Sequence, residues 1–321
     1  MAPEKKEQKA EIAVVVPAAR QAECDAFLTR YHAVFPGGLA FVETGSNPSL
    51  NRNIGQAKCG TPLVAFTNTH TILPPEWLDR AVEFFREHPS VDIVGGPQLT
   101  PEDDPLFARL NGIALASAFT TARIRFRYRK GKLDMDANEQ TVTSANLICR
   151  SRVFGAIRFD EKTYPGEDPK FVTDAKNAGF RVAYDPDIVV FNRRRRTVSA
   201  LFLQIFRYGK VRMLFPPQLC FSHPLTMVPA LFVTFIIFAP LLAQLPCGAV
   251  ATKVALFFYA LLSLFFSIYE SVREKNAAAI LLLPPVFFIV HAAYGCGCIY
   301  GLWVRLRQKS DAIADYDETE S

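Results

Sequence analysis

Three long apolar runs, Leu225–Leu245, Val250–Tyr269 and Ala277–Trp303, close the chain, and each is near or above the roughly 18–20 residues a helix needs to cross a bilayer. The part before them has a shorter rhythm. Glu11–Pro17 reads as a β-branched strand, Ala22–Val34 as a helix, Leu39–Glu43 as a strand, Ser49–Ala57 as a helix and Leu63–Thr67 as a strand. A helix starting around Pro74–Leu78 runs to about His88, and Asp92–Gly95 is a further strand. This alternation predicts an α/β domain with a mostly parallel sheet, whose ligands sit outside the carboxyl ends of the strands. Farther on, Thr141–Cys149 reads as a strand and Tyr164–Asp168 as a loop. The helix Lys170–Ala178 follows, capped by Gly179, and then the strands Arg181–Tyr184 and Ile188–Phe191. Ser199–Leu214 sets an apolar stripe against a cationic one, the pattern of a helix lying in a membrane interface. The expected layout is a charged leader (1–10), an α/β domain (11–197), an interfacial helix and linker (198–219), a membrane region of about three helices (220–306) and a polar tail (307–321).

Composition sharpens this picture at few points. Half of the 321 residues are hydrophobic, 27 of them Phe, and their concentration in the three runs excludes a fully soluble protein, a disordered tail or a collagen-like fibre. Met1–Glu11 is mostly Lys, Glu and Gln, which predicts no cleaved secretion signal and a cytoplasmic N-terminal part. The seven cysteines lack zinc-ligand spacing and read as reduced fillers. The net charge of +5 is modest, but Arg193–Arg196, Arg207, Lys210 and Arg212 cluster just before the first apolar run. That placement suits an anionic cytoplasmic leaflet of the cell membrane rather than nucleic acid. The cations of Phe119–Gln140 mostly alternate with apolar residues. They read either as a solvated ribbon or as a flap over an anionic substrate.

Several motifs occur in an order that carries a resemblance. They are Thr69-His70-Thr71-Ile72-Leu73-Pro74-Pro75-Glu76-Trp77-Leu78, Gly95-Gly96-Pro97, Thr143-Ser144-Ala145-Asn146-Leu147, Arg158-Phe159-Asp160-Glu161, Pro165-Gly166-Glu167-Asp168, Tyr184-Asp185-Pro186 and Gln204-Ile205-Phe206-Arg207-Tyr208-Gly209, with His291-Ala292-Ala293-Tyr294-Gly295-Cys296-Gly297 in the last apolar run. Over about residues 11–303 the chain resembles the membrane-associated family 2 glycosyltransferases of the GT-A fold, which build exopolysaccharides and glycolipids. The resemblance implies a Rossmann-like nucleotide-sugar domain, a nucleotide-sugar donor and a polyprenyl- or lipid-linked acceptor.

Within that frame Glu167 and Asp168 are the catalytic pair, with Asp168 as the base that takes the acceptor hydroxyl proton. Read alone, Asp168 could equally cap the helix that follows it. Asn68-Thr69-His70 stands where the family usually has Asp-x-Asp, whose carboxylates hold a divalent cation against the donor diphosphate. Without both carboxylates, Mg²⁺ or Mn²⁺ dependence is expected to be weak or absent, with His70 the one candidate ligand, unless Asn68 and His70 merely hydrogen-bond at a strand end. Pro17-Ala18-Ala19-Arg20 and Glu43-Thr44-Gly45-Ser46-Asn47 stand at the family's nucleotide-binding positions and depart from its usual residues. Pro17, Glu43, Arg52, Asn68 and His70 are thus the expected donor-binding residues, although Arg52 could also be a helix-surface residue. Asn146, Gln204, Arg207 and Tyr208 are expected at the acceptor or diphosphate, with a phospholipid anchor as the other reading of Arg207. His291, inside an apolar run, is either functional or a packed neutral His.

The function these residues imply is inverting sugar transfer to a lipid-linked acceptor. The alternative is a pseudo-glycosyltransferase acting as a scaffold subunit of a membrane glycan assembly. A nucleotide-dependent dehydrogenase is disfavoured, because Val16-Pro17-Ala18-Ala19-Arg20 replaces the Gly-x-Gly-x-x-Gly turn after the first strand.

Overall fold

The structure is a computed structural model that describes residues 11–163, 166–215 and 224–319. The leader 1–10, Tyr164 and Pro165 of the expected loop, and 216–223 of the expected linker lie outside the described residues. The chain forms two compact units: residues 11–102 with 123–193, and residues 103–122 with 194 onward. The continuous stretch expected over 11–197 is therefore interrupted by a segment that belongs with the C-terminal helices.

The first unit is built on β1 (Ile12–Ala18), whose Val14, Val15 and Val16 are wholly buried. A strand covered on both faces carries an unbroken apolar run, and this one does. Parallel neighbours flank it: β2 (Leu39–Thr44) in register from Ala13↔Leu39 to Ala18↔Thr44, and β3 (Leu63–Phe66) from Ile12↔Leu63 to Val15↔Phe66. The helices α1 (Gln21–Val34), α2 (Pro48–Ala57) and α3 (Trp77–Glu87) connect the first strands and lead toward β5 (Ile93–Gly95). Strand order is β2-β1-β3-β7-β5-β8, where β7 is Leu147–Arg150 and β8 is Val182–Tyr184. The sheet is mixed rather than mostly parallel, because β7 runs antiparallel to both β3 and β5. It enters after the long excursion 96–146 instead of a helical crossover, so nothing forces it to be parallel. A second sheet orders β4 (Thr71–Ile72), β9 (Val190–Asn192) and β6 (Gln98–Leu99).

The strand expected from Thr141 begins only at Leu147. Residues 141–146 turn instead, with Thr141 N donating to Asn138 O and Asn146 N to Thr143 O. Thr141 Oγ1 also donates to Asn138 O at 3.3 Å, a local side-chain-to-backbone bond of the kind that competes with a ladder.

In the second unit, α4 (Leu106–Leu115) is an apolar helix that the periodicity did not announce. Seven of its ten residues are buried, so it has no polar face by which to be recognised. The short α5 (Ala118–Thr121) follows. Next come α7 (Val198–Leu214), α8 (Val228–Leu242), α9 (Gly248–Arg273) and α10 (Ala279–Thr319), while α6 (Glu167–Asn177) lies in the first unit. Three spans, Pro224–Leu242, Gly248–Arg273 and Ala279–Arg307, are long and apolar enough to cross a membrane. Pro284 and Pro285 lie inside α10, which continues through them.

α7 buries Leu201, Ile205, Gly209 and Met213, spaced one turn apart, and packs closely along α10. A Cβ added at Gly209 would collide with the Tyr294 carbonyl, at Gly297 with that of Phe206 and at Gly301 with that of Lys210. Glycines therefore let the two backbones touch, and the pairs Phe206–Gly297, Lys210–Gly301 and Met213–Arg305 rise together along both helices, which run parallel. Arg305 Nη1 then donates to the carbonyls of Met213 and Phe215, 3.1 Å each, satisfying the end of α7. His291 takes the packed role. Its Nε2 donates to the Phe119 carbonyl at 3.0 Å and its Nδ1 accepts from the Tyr259 hydroxyl at 3.1 Å, among the rings of Phe119, Phe232 and Tyr259.

Candidate active site

Helix α2 is the organising element, and its buried face is polar: Ser49, Asn51, Arg52 and Gly55 are inside, while Leu50 and Ile54 are exposed. Asn47 caps the helix, its Oδ1 accepting from Ser49 N and Leu50 N at 3.0 and 3.2 Å. Its Nδ2 donates to Glu161 O at 2.8 Å. Asn53 pairs with the backbone of Phe159 in both directions, at 2.9 and 3.1 Å. Asn51 Nδ2 reaches Gly45 O at 3.1 Å and Ala18 O at 3.4 Å, tying the carboxyl ends of β1 and β2 to the same helix. Phe159 in turn stacks on Phe171 of α6, with ring centroids 4.3 Å apart. These contacts fix α6 against α2.

Glu167 and Asp168 therefore meet Arg52. The catalytic pair was expected in a loop, but α6 begins at Glu167, so both carboxylates stand in its first turn, where the helix amide end favours negative charge. The turn is made by Gly166, whose φ of 120° is one a side chain would resist. Arg52 Nη1 lies 2.9 Å from Glu167 Oε1, Nη2 lies 3.4 Å from Asn68 Oδ1, and the guanidinium sits 5.3 Å from the Phe159 ring centroid. Glu167 Oε2 accepts from Gly166 N at 3.0 Å. Burial and the neighbouring Asp168 push the Glu167 carboxyl above its ordinary value, and Arg52 opposes that shift. Asp168 makes no side-chain cap, and its buried Oδ1 has no hydrogen-bond partner among the described residues. A proton-accepting oxygen is thus left unused beside a fixed ion pair.

The other expected residues are placed differently. Pro17 and Glu43 face each other in register across β1 and β2, and Glu43 Oε1 pairs with Lys58 Nζ at 2.6 Å. His70 is exposed, and the Asn68–His70 loop is held by Arg30, which donates to the Thr69 carbonyl. Asn146 is wholly buried: its Nδ2 donates to Ile188 O at 2.7 Å and its Oδ1 accepts from Trp77 Nε1 at 2.9 Å. It joins α3 to the loops beside β7 and β9, a holding role in place of the acceptor contact expected of it. On α7, Gln204 bonds Tyr208 at 3.0 Å and Arg195 at 3.3 Å, and Arg207 is exposed. Asn51 did not stand out in the sequence, and Asn53 and Phe159 stood in recognisable motifs without a role being read for either. The available signal was a helix whose apolar residues fall on the wrong face.

At the expected cation position the chain offers a divalent cation no carboxylate, only Asn68 and His70. No group of three or more His, Cys, Asp or Glu among the described residues is placed to hold a metal. The one oxygen Asn68 offers already faces the Arg52 guanidinium, whose charge repels a cation brought to the same atom.

The chain thus carries a mixed α/β sheet unit, with a carboxylate pair in the first turn of α6, and apolar helices of membrane length after it. A family model described as "Glycosyltransferase like family 2" matches residues 9–210, and the chain belongs to that family. A pre-mycofactocin glycosyltransferase of Mycobacterium tuberculosis is 26% identical over 163 residues, covering 50% of this chain and 33% of that protein. The chain thus matches about a third of the length of that curated relative. The mannosyltransferase PcManGT from Pyrobaculum calidifontis, solved with GDP-Man and Mn²⁺, superposes with a TM-score of 0.51 over 91% of this chain and 87% of that one, at 14% identity, which supports the fold.

Proposed function

We propose that the protein is an inverting glycosyltransferase that moves a sugar from a nucleotide-sugar donor to a lipid-linked acceptor in polysaccharide or glycolipid synthesis. Its α/β unit works on the cytoplasmic face of the cell membrane. The observation that carries this reading is that Asp168 Oδ1, next to the buried Arg52–Glu167 pair, has no hydrogen-bond partner among the described residues. Asp168 takes the proton from the acceptor hydroxyl as its oxygen bonds the anomeric carbon. The bond from that carbon to the donor diphosphate breaks on the opposite face, and the electron pair leaves with the diphosphate. Arg52 opposes the upward shift of the Glu167 carboxyl, and the pair positions Asp168. Arg207, exposed on α7, attracts an acceptor phosphate.

The mannosyltransferase neighbour binds GDP-Man with Mn²⁺. In this chain the donor set favours little or no dependence on a cation, since Asn68 and His70 bring no negative charge to offset one. The same loss favours the second reading, a scaffold subunit without turnover. Purified protein in vesicles carrying a polyprenyl phosphate, given a panel of labelled nucleotide sugars, separates them. Transfer of label into the lipid fraction supports the enzyme; nucleotide binding with no transfer for any sugar supports the scaffold.

A further inference from the structure

The cationic stretch that reads from sequence as either a ribbon or a flap forms one wall of a cleft of about 630 Å³ at the carboxyl end of β8. Residues 122–127 coil as a 3₁₀ helix, and Arg127 pins them by donating to the carbonyls of Gln140 and Glu139. Asp134 then bridges Tyr184 of β8. Arg123, Lys130 and Lys132 line the cleft against a single carboxylate, Asp134, and the rings of Phe126 and Tyr184 supply its apolar wall.

We infer that this cleft binds the phosphate of an anionic ligand that also carries an apolar chain. Three observations point there. Lys132 is exposed and has no hydrogen bond or ion pair with the described residues, so its charge is unspent. The Arg123–Asp134 and Lys130–Asp187 pairs, at 2.6 and 2.8 Å, are largely exposed, and exposed pairs give up a partner at little cost when a phosphate arrives. Leu133, 49% exposed, lines the cleft with apolar surface, and Met135, 43% exposed, follows two residues on in the chain. Cations around a phosphate with apolar side chains next to them match the junction of a lipid phosphate. The cleft opens at the carboxyl edge of the sheet, the edge where an α/β sheet takes its ligands.

This inference rests on the lipid-linked acceptor proposed above, and it specifies that acceptor as a phosphate ester with an apolar tail. A phospholipid headgroup presents the same chemistry, so two sources must be separated. The full-length protein in nanodiscs of neutral lipid is titrated with farnesyl phosphate, inorganic phosphate and a nucleoside diphosphate, and a parallel set of nanodiscs contains phosphatidylglycerol. Lys132→Glu is expected to weaken farnesyl phosphate about tenfold, as does loss of one charge-assisted contact, and Lys132→Arg to restore it. Nucleoside diphosphate affinity should not change. If phosphatidylglycerol competes the farnesyl phosphate away through Lys132, the headgroup is the source; if it does not, the acceptor is. Unchanged farnesyl phosphate affinity in Lys132→Glu overturns the inference, as does an equal loss of nucleoside diphosphate affinity. These titrations need no turnover, so a failure of sugar transfer is read separately from a failure here.

Discussion

Arg52 on α2 and Glu167 on α6, 115 residues apart in the chain, meet as a 2.9 Å ion pair with 4% and 9% of their side chains exposed. A pair this deep is costly to break, because whichever partner remains keeps its charge without water. Arg52→Ala should therefore destabilise the protein by about 3 kcal/mol at neutral pH. Replacing both residues by Leu should recover much of that loss. Thermal unfolding of the purified variants in detergent checks both, and a double variant no better than the single one would contradict the assignment.

The elevated Glu167 carboxyl makes a prediction in pH. A carboxyl that titrates higher in the folded than in the unfolded state contributes stability that is complete below its unfolded value and declines as pH rises through its folded value. The wild type should accordingly lose stability relative to Glu167→Gln as pH rises from about 4 toward neutrality, since the amide does not titrate. A difference in unfolding temperature that stays flat across this range would mean that Glu167 is not raised.

The glycine contacts between α7 and α10 can be probed without chemistry. Gly297→Ala drives a methyl group into the Phe206 carbonyl and should cost about 1–3 kcal/mol through overpacking. Gly155→Ala meets nothing within 4 Å and serves as the control. Equal unfolding temperatures for the two variants would show that the helices have room to separate.

The donor site should bind nucleoside diphosphate to within about twofold of the same affinity before and after chelation of divalent cations, and His70→Ala should change this little. Calorimetric titration with EDTA, Mg²⁺ and Mn²⁺ checks it. Binding that appears only with one metal would require ligands other than Asn68 and His70.

Much of the fold was legible because burial on both faces leaves apolar runs: β1, β3 and the three long spans follow directly from them. The direction of β7 was not legible, since four residues of strand say nothing of which way the chain enters. Nor was α4, which carries Arg109 as its one charged residue and is too short to read as a membrane span. At the site, the Glu167-Asp168 pair stood out through its neighbours in sequence, whereas the clamp formed by Asn51, Asn53 and Phe159 depends on a partner more than 100 residues away or on backbone carbonyls that no side-chain pattern records. Asn146 shows the opposite case. Its motif suggested a ligand contact, but its amide is consumed by Trp77 and Ile188.

The central claim, that Asp168 removes the acceptor proton, is tested most directly by Asp168→Asn in the reconstituted transfer assay. The amide keeps the shape of the carboxylate and cannot accept the proton. Sugar transfer should fall by a factor of about 10²–10⁴, with unfolding temperature and nucleoside diphosphate affinity close to wild type. Transfer by the purified variant at a rate near that of the wild type would contradict it.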